Sequence, residues 1–176
     1  MLYDASVAGV THAAMEASSH GLEQRRLDGV RLISAGFTNF SQDHLDYHET
    51  FEAYFAAKSG LFTRVLTDTG VAVVNIDDPK GLEIEGLCAE RSIDVMRVGR
   101  SDVADLRILG QRFDATGEDL RIDFVGNIYQ IRLDLIGGFQ AENVMLAAGL
   151  CIASGSEPDD VFDTLQELRT VRGRME

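Results

Sequence analysis

The sequence has no run of the roughly 18 to 20 apolar residues that a membrane-spanning helix needs. Its first residues, MLYDASVAGV, lack a basic stretch followed by an apolar one. Neither membrane insertion nor a secretory leader is expected, and the chain reads as cytoplasmic. Basic residues are few: 16 Lys and Arg stand against 29 Asp and Glu, giving a net charge of −13 with no basic cluster. A nucleic-acid partner is therefore not expected, because phosphate-backbone binding draws on clustered Lys and Arg. An anionic small molecule is still admitted, through a few local donors or a bridging cation. Only two cysteines occur, Cys88 and Cys151, far apart and each in an apolar helical pattern. Two reduced core thiols are expected from them rather than a disulfide or a metal pair. There is no internal repeat and no low-complexity linker. With 176 residues, 45% of them hydrophobic, the chain can bury one sizeable core, and one domain is expected.

What is present is an alternation of strands and helices. VTHAAME (10–16) reads as a short strand ending in Glu16. LISAGFTNF (32–40) repeats the plan and opens into the polar stretch SQDHLDYHET (41–50). VAVVNIDD (71–78) repeats it again before Pro79 starts a helix. DVMRVG (94–99) is a further strand. Helical periodicity is clearest over 50–66 and weaker over 81–91. The expected fold class is α/β, a mostly parallel sheet flanked by helices. From residue 105 the texture changes to apolar–polar alternation broken by turns, which predicts an antiparallel β meander over about 105–136. Two C-terminal helices, 141–155 and 158–169, close the chain.

Two places carry candidate chemistry. On the 50–66 helix, Phe51, Tyr54, Phe55, Leu61, Phe62 and Val65 form one stripe, and Lys58 falls in its middle. A lysine there snorkels, pairs with an anion, or is held partly neutral by desolvation and becomes reactive. Glu16 and His44 each end, or just follow, a strand, and such loops face one crevice in a parallel sheet. A carboxylate and an imidazole suit Mg²⁺ or Mn²⁺, whereas a capped helix start with solvated charges explains the same residues without a metal. His44 and His48 have the i,i+4 spacing of a zinc pair, but the glutamate of an H-E-x-x-H motif is missing.

The ordered segments MEASSHGLEQRR, FTNFSQDHLDYHETFEAYFAAKSGLF, NIDDP, GGFQAENVMLAAG and GRME resemble the central domain of the Mur ligases. The branch they resemble adds the third amino acid to UDP-N-acetylmuramoyl-L-alanyl-D-glutamate in peptidoglycan synthesis. The resemblance covers nearly the whole chain. It implies ATP-dependent amide formation through an acyl phosphate, with ATP, the UDP-linked dipeptide and a diamino acid (meso-diaminopimelate or else L-lysine) as partners. It also implies Mg²⁺ held by Glu16, His44 and a carbamylated Lys58 (N6-carboxylysine), with Lys58 and His44 as the catalytic pair. Ser18, Gln24 and Arg26 match residues that bind the UDP-linked substrate. Asn143 matches the reader of adenine, and Arg174 an ATP-contacting arginine. Asn75, Asp77 and Asp78 fall near the nucleotide by the same comparison, although turn and cap duty explains them equally well.

One departure is clear: no G-x-x-x-x-G-K-[ST] phosphate loop occurs anywhere in the chain. The expectation is a partial central domain over 1–176, without the family's N-terminal uridine-binding and C-terminal ligase domains, and inactive in ligation by itself. A folylpolyglutamate-type or other Mur ligase is the nearest enzymatic alternative. A non-catalytic nucleotide-binding module and a zinc hydrolase using His44 and His48 are the alternatives from other classes.

Overall fold

A computed structural model describes residues 2–40 and 48–169. Helix α1 (Leu2–Val7) buries none of its residues, and α2 (Ser19–Glu23) follows a coil. Then come β1 (Leu32–Phe37), α3 (Phe51–Gly60), a π-helical turn (Leu61–Val65), β2 (Leu66–Asn75), α4 (Pro79–Glu90) and β3 (Asp94–Gly99). The meander is β4 (Leu106–Asp114), β5 (Gly117–Phe124) and β6 (Asn127–Leu133). Helices α5 (Gln140–Ala153) and α6 (Pro158–Thr164) end the described chain, the latter running into a short 3-10 turn.

All six strands form one sheet in sequence order. β1 to β4 pair in parallel, and β4–β5 and β5–β6 pair antiparallel. The expected α/β class, the meander and the two C-terminal helices are all present. Strand β2 explains the layering, since adjacent side chains point to opposite faces. Val73 joins the core beneath α5, with Val98, Ile122 and Met145. Ala72 and Val74 join the opposite core, with Phe62, Ile84 and Cys88. The sheet is thus buried on both faces in its parallel half.

Four expectations need correction. Residues 10–16 are not a strand; they form exposed coil. β1 is the edge of the sheet, and a β-leaning run without a hydrogen-bonded neighbour stays irregular. The 50–66 helix is not one α-helix, because after Gly60 it widens into the π turn. There Ser59 Oγ donates to the Phe55 carbonyl at 2.8 Å and Thr63 Oγ1 to the Ser59 carbonyl at 3.1 Å. Such bonds to the residue four back bend helices, and π turns relieve the misfit. Strand β2 consequently starts at Leu66, five residues earlier than the apolar pattern suggests. Finally, Cys88 is a free, buried thiol as expected, but Cys151 is exposed, on the outer side of α5.

Candidate functional site

The carboxyl ends of β1 and β2 meet the first turn of α5 around a cavity of about 180 Å³, lined by Thr38, Asn39, Asn75, Phe139, Glu142 and Asn143. A crevice outside the carboxyl ends of parallel strands is where open α/β sheets bind ligands. Three carboxamides and a hydroxyl offer paired donors and acceptors, and the half-exposed Phe139 ring offers a stacking face. Pockets for drug-sized ligands run to roughly 300–1,000 Å³. This smaller cavity therefore fits one planar heterocycle, with the rest of a ligand lying outside it.

Local sequence dictates each wall. Gly137, at φ +120°, supplies the left-handed turn that launches α5, and its carbonyl accepts the Gln140 N–H at 2.9 Å. Gly81 lets the first turn of α4 press against the end of β2, since a Cβ there would sit 1.9 Å from the Asn75 carbonyl oxygen. Asn75 Oδ1 accepts the Asp77 N–H at 3.0 Å. Asp77 in turn accepts the backbone N–H groups of Arg100, at 2.8 Å, and of Ser101, at 3.3 Å. Arg100 reaches Glu142 Oε1 through Nη2 at 2.7 Å and Nε at 3.2 Å. Glu142, the one carboxylate among the described residues on the cavity wall, is thereby neutralised by a fork of donors. Asp78 caps α4 by accepting the Lys80 N–H. Asp77 and Asp78 thus do turn and cap duty beside the cavity rather than line it.

Asn143, expected as the reader of adenine, and Asn75, expected near the nucleotide, both line the cavity. Ser18 is the N-cap of α2, its Oγ accepting the Gly21 N–H at 3.1 Å, and Gln24 is the C-cap of the same helix. Arg26 follows, with its N–H bonded to the Gly21 carbonyl and its side chain exposed. Between them Arg25 sits at φ +56°, a strained conformation for a side chain of that size. These three expected substrate residues share one segment, which packs on α3.

Lys58 is half-buried on α3, with Nζ 5.4 Å from the centroid of the Tyr54 ring, within cation–π range. The apolar stripe is as expected, with Tyr54, Leu61, Phe62 and Val65 buried. Phe40 stacks on Tyr54 at 4.8 Å and meets Phe51 and Phe55 edge-on, tying the end of β1 to the helix that bears Lys58. Thr50 caps α3, its Oγ1 accepting the Ala53 N–H at 3.1 Å. His48 is buried, its ring 5.1 Å from Tyr54 and 5.6 Å from His20, with the Glu23 carboxylate 3.8 Å away. Two expected site residues, His44 and Arg174, lie outside the described residues, as do Asp43 and Asp46.

Among the described residues no group of three or more His, Cys, Asp or Glu side chains is placed to hold a metal ion. Of the expected Mg²⁺ ligands, Glu16 is exposed and offers hard oxygens. The Lys58 amine offers a lone pair only when deprotonated, and becomes a hard oxygen donor only as a carbamate. The donor set fits Mg²⁺ on that condition.

The sequence did not single out Thr38, Asn39, Phe139, Glu142, Glu118 or Gln111. Thr38, Asn39 and Glu142 line the cavity, and the buried Glu118 belongs to a network behind it. Glu118 could have been found, because it falls in phase with Leu120 and Ile122 on the inward face of β5. Its partner Gln111 could not: a β-bulge between Ile108 and Gly110 reverses which residues of β4 face inward.

Comparison with known proteins identifies the family and the fold. Residues 1–151 match the Mur ligase middle domain. The UDP-N-acetylmuramoyl-L-alanyl-D-glutamate–2,6-diaminopimelate ligase of Caulobacter vibrioides is 44% identical over 168 residues, 96% of this chain and 34% of the relative. That of Zymomonas mobilis is 40% identical over 173 residues, 98% of this chain and 35% of the relative. A solved structure of a ligase of the same name superimposes with a TM-score of 0.91 at 31% identity, covering 99% of this chain and 36% of that one. A MurF from Acinetobacter baumannii shares the fold, with a TM-score of 0.75 at 21% identity, over 85% of this chain and 32% of that one. The chain spans about a third of the length of the curated relatives it matches. By the match to its middle domain and by these relatives, the chain belongs to the Mur ligase family.

Proposed function

We propose that this chain is the nucleotide-binding middle part of a cytoplasmic ligase. That ligase adds meso-diaminopimelate to UDP-N-acetylmuramoyl-L-alanyl-D-glutamate with ATP, a step of cell-wall peptidoglycan synthesis. The observation that carries the reading is the placement of Asn143 beside Asn39 and Asn75 on one polar cavity at the carboxyl ends of β1 and β2. A carboxamide matches the adjacent acceptor and donor of adenine's N7 and N6 edge, and Phe139 supplies a face for the ring. Relatives named for this ligation, matched over 96% and 98% of this chain, support the substrate.

The reaction divides into two displacements. The glutamyl carboxylate attacks the γ-phosphorus of ATP, and ADP leaves with the bond electrons. The amine of the incoming amino acid then attacks the acyl carbon, loses a proton, and expels inorganic phosphate as the amide forms. Both steps bring anions together, so they require charge neutralisation and close positioning. Mg²⁺ supplies that neutralisation when bound, and Glu16, His44 and carbamylated Lys58 are the residues that would hold it. Ser18, Gln24 and Arg26 are assigned to the UDP-linked dipeptide, Arg26 as a forked donor to a carboxylate or phosphate. Arg174 is assigned to ATP.

The test has two arms. In the chain itself, Asn143→Ala should weaken ADP about tenfold, the loss of one or two buried hydrogen bonds. In the ligase that carries this segment, Lys58→Ala should abolish amide formation, and a small carboxylate should restore part of it. Unchanged turnover would remove Lys58 from the site. A folylpolyglutamate-type ligase is the second reading. A Mycobacterium tuberculosis folylpolyglutamate synthase, complexed with ADP, superimposes with a TM-score of 0.67 at 26% identity. Phosphate release stimulated by a folate, and not by the UDP-linked dipeptide, would favour it.

A further inference from the structure

Behind the cavity lies a polar cluster in an otherwise apolar layer. Gln111 accepts a hydrogen bond from Arg100 Nη2 at its Oε1, and its Nε2 donates to Glu118 Oε2 and to the Gly138 carbonyl, the latter at 3.0 Å. Arg100 only donates, so it fixes the amide with its NH₂ turned toward Glu118 and Gly138. Arg100 is the residue that grips Glu142 on the cavity wall, and Gly138 lies in the turn that launches α5. One side chain therefore holds α5 at two points.

The backbone is arranged to bring this about. Ile108 pairs with Ile122, and Gly110 already pairs with Arg121, so β4 carries one extra residue. That bulge turns Gln111 to the face shared by Leu120, Glu118 and α5, whereas an unbroken strand would aim it at the opposite face. Glu118 is fully buried, and its Oε1 has no hydrogen-bond partner among the described residues. A buried carboxyl with one unsatisfied oxygen destabilises the fold. Burial raises its pKa, while the hydrogen bond from Gln111 works in the opposite direction.

We infer that Gln111, oriented by Arg100 and Glu118, is a positioning residue for the cavity: it fixes the first turn of α5, and with it Glu142 and Asn143. The consequence for ligand affinity rests on the nucleotide reading above; the consequence for α5 does not. Gln111→Leu keeps the bulk and removes both the donor and the acceptor. Gln111→Glu keeps the acceptor for Arg100 but sets a second carboxylate against Glu118. Adding Glu118→Gln to Gln111→Glu puts the donor on residue 118, which restores the hydrogen bond between 111 and 118 beside Arg100 but leaves the Gly138 carbonyl without its donor.

Backbone hydrogen exchange and ADP titration on the same proteins test this. In Gln111→Leu, exchange of the hydrogen-bonded Gln140 and Asn143 amides should rise at least tenfold while β2 and α4 keep their protection, and ADP should bind about tenfold more weakly. Gln111→Glu should behave likewise, and the second substitution, which relieves the carboxylate pair and so restores the hold on Glu142 through Arg100 but not the bond to Gly138, should recover part of the protection at Asn143. Unchanged exchange at Gln140 and Asn143, or an equal rise across β2 and α4, would overturn the positioning role. So would failure of the second substitution to recover any protection at Asn143. If the unsubstituted chain fails to bind ADP, the nucleotide reading falls, and the exchange result alone decides the role of Gln111.

Discussion

The carboxylate of Asp78 holds the backbone N–H of Phe40 at 2.8 Å through Oδ2 while its Oδ1 caps α4 at the Lys80 N–H, also at 2.8 Å. One side chain thus joins the loops that follow β1 and β2, the two strands whose ends line the cavity. Asp78→Ala should lower stability by about 2 kcal/mol, roughly half from the cap and half from the Phe40 N–H left without its partner. Asp78→Asn should retain about half of that, because its single carbonyl oxygen serves one donor well. Urea denaturation monitored by circular dichroism checks both; a midpoint unchanged in Asp78→Ala would show that the bridge carries no weight.

The hairpin between β5 and β6 contains a local conflict. Val125 and Gly126 occupy its two turn positions at φ +50° and +87°, the conformation for which Asn-Gly is the favoured pair. A β-branched side chain is strained there, and Val125 is 73% exposed, so no packing compensates. Val125→Asn should therefore stabilise the protein by about 1 kcal/mol. The melting temperature should rise by a few degrees, and a fall would show that the turn is not strained.

The thiols should be distinguishable by chemistry. Burial pushes the Cys88 thiol up to about 11, whereas Cys151 is exposed. Since the thiolate is the reactive form, a disulfide-exchange reagent at neutral pH should label one thiol fast, and Cys151→Ser should abolish that phase. Cys88 should react only on unfolding. Two fast equivalents would contradict the placement of Cys88.

Glu118 predicts a pH dependence with a definite sign. Its folded-state pKa lies above the ordinary glutamate value through burial, so the folded state holds the proton more tightly than the unfolded chain. Stability contributed below the unfolded value, about 4.3, is lost as pH rises through the folded value. Glu118→Gln removes that loss and keeps a carbonyl to accept from Gln111. Its stability advantage over the unsubstituted protein should grow between pH 4.5 and 7.5. A difference independent of pH would mean that Glu118 is not desolvated.

Much of this was legible in the sequence, and the remainder was not for physical reasons. Strands β1, β2 and β3 and the meander follow from β-branched runs and alternation, and α4 and α5 from periodicity. The run at 10–16 looked like a strand because propensity is local, but a strand requires a neighbour, and none of the described strands pairs with it. The π turn after Lys58 depends on side-chain hydroxyls bonding back to the helix, which periodicity does not register. Asn143 was found through resemblance. Gln111 was hidden by a one-residue bulge that inverts its face, and no pattern of polar and apolar residues announces such an inversion.

The central claim is that the polar cavity between β1, β2 and α5 receives the adenine of a nucleotide. It is tested most directly by two-dimensional NMR of the ¹⁵N-labelled chain titrated with ADP. Saturable shifts should centre on Thr38, Asn39, Asn75 and residues 139–143, include the Asn143 side-chain amide, and be lost in Asn143→Ala. No saturable shift, or shifts centred instead on the separate hollow between Tyr129 and Pro158, would contradict it.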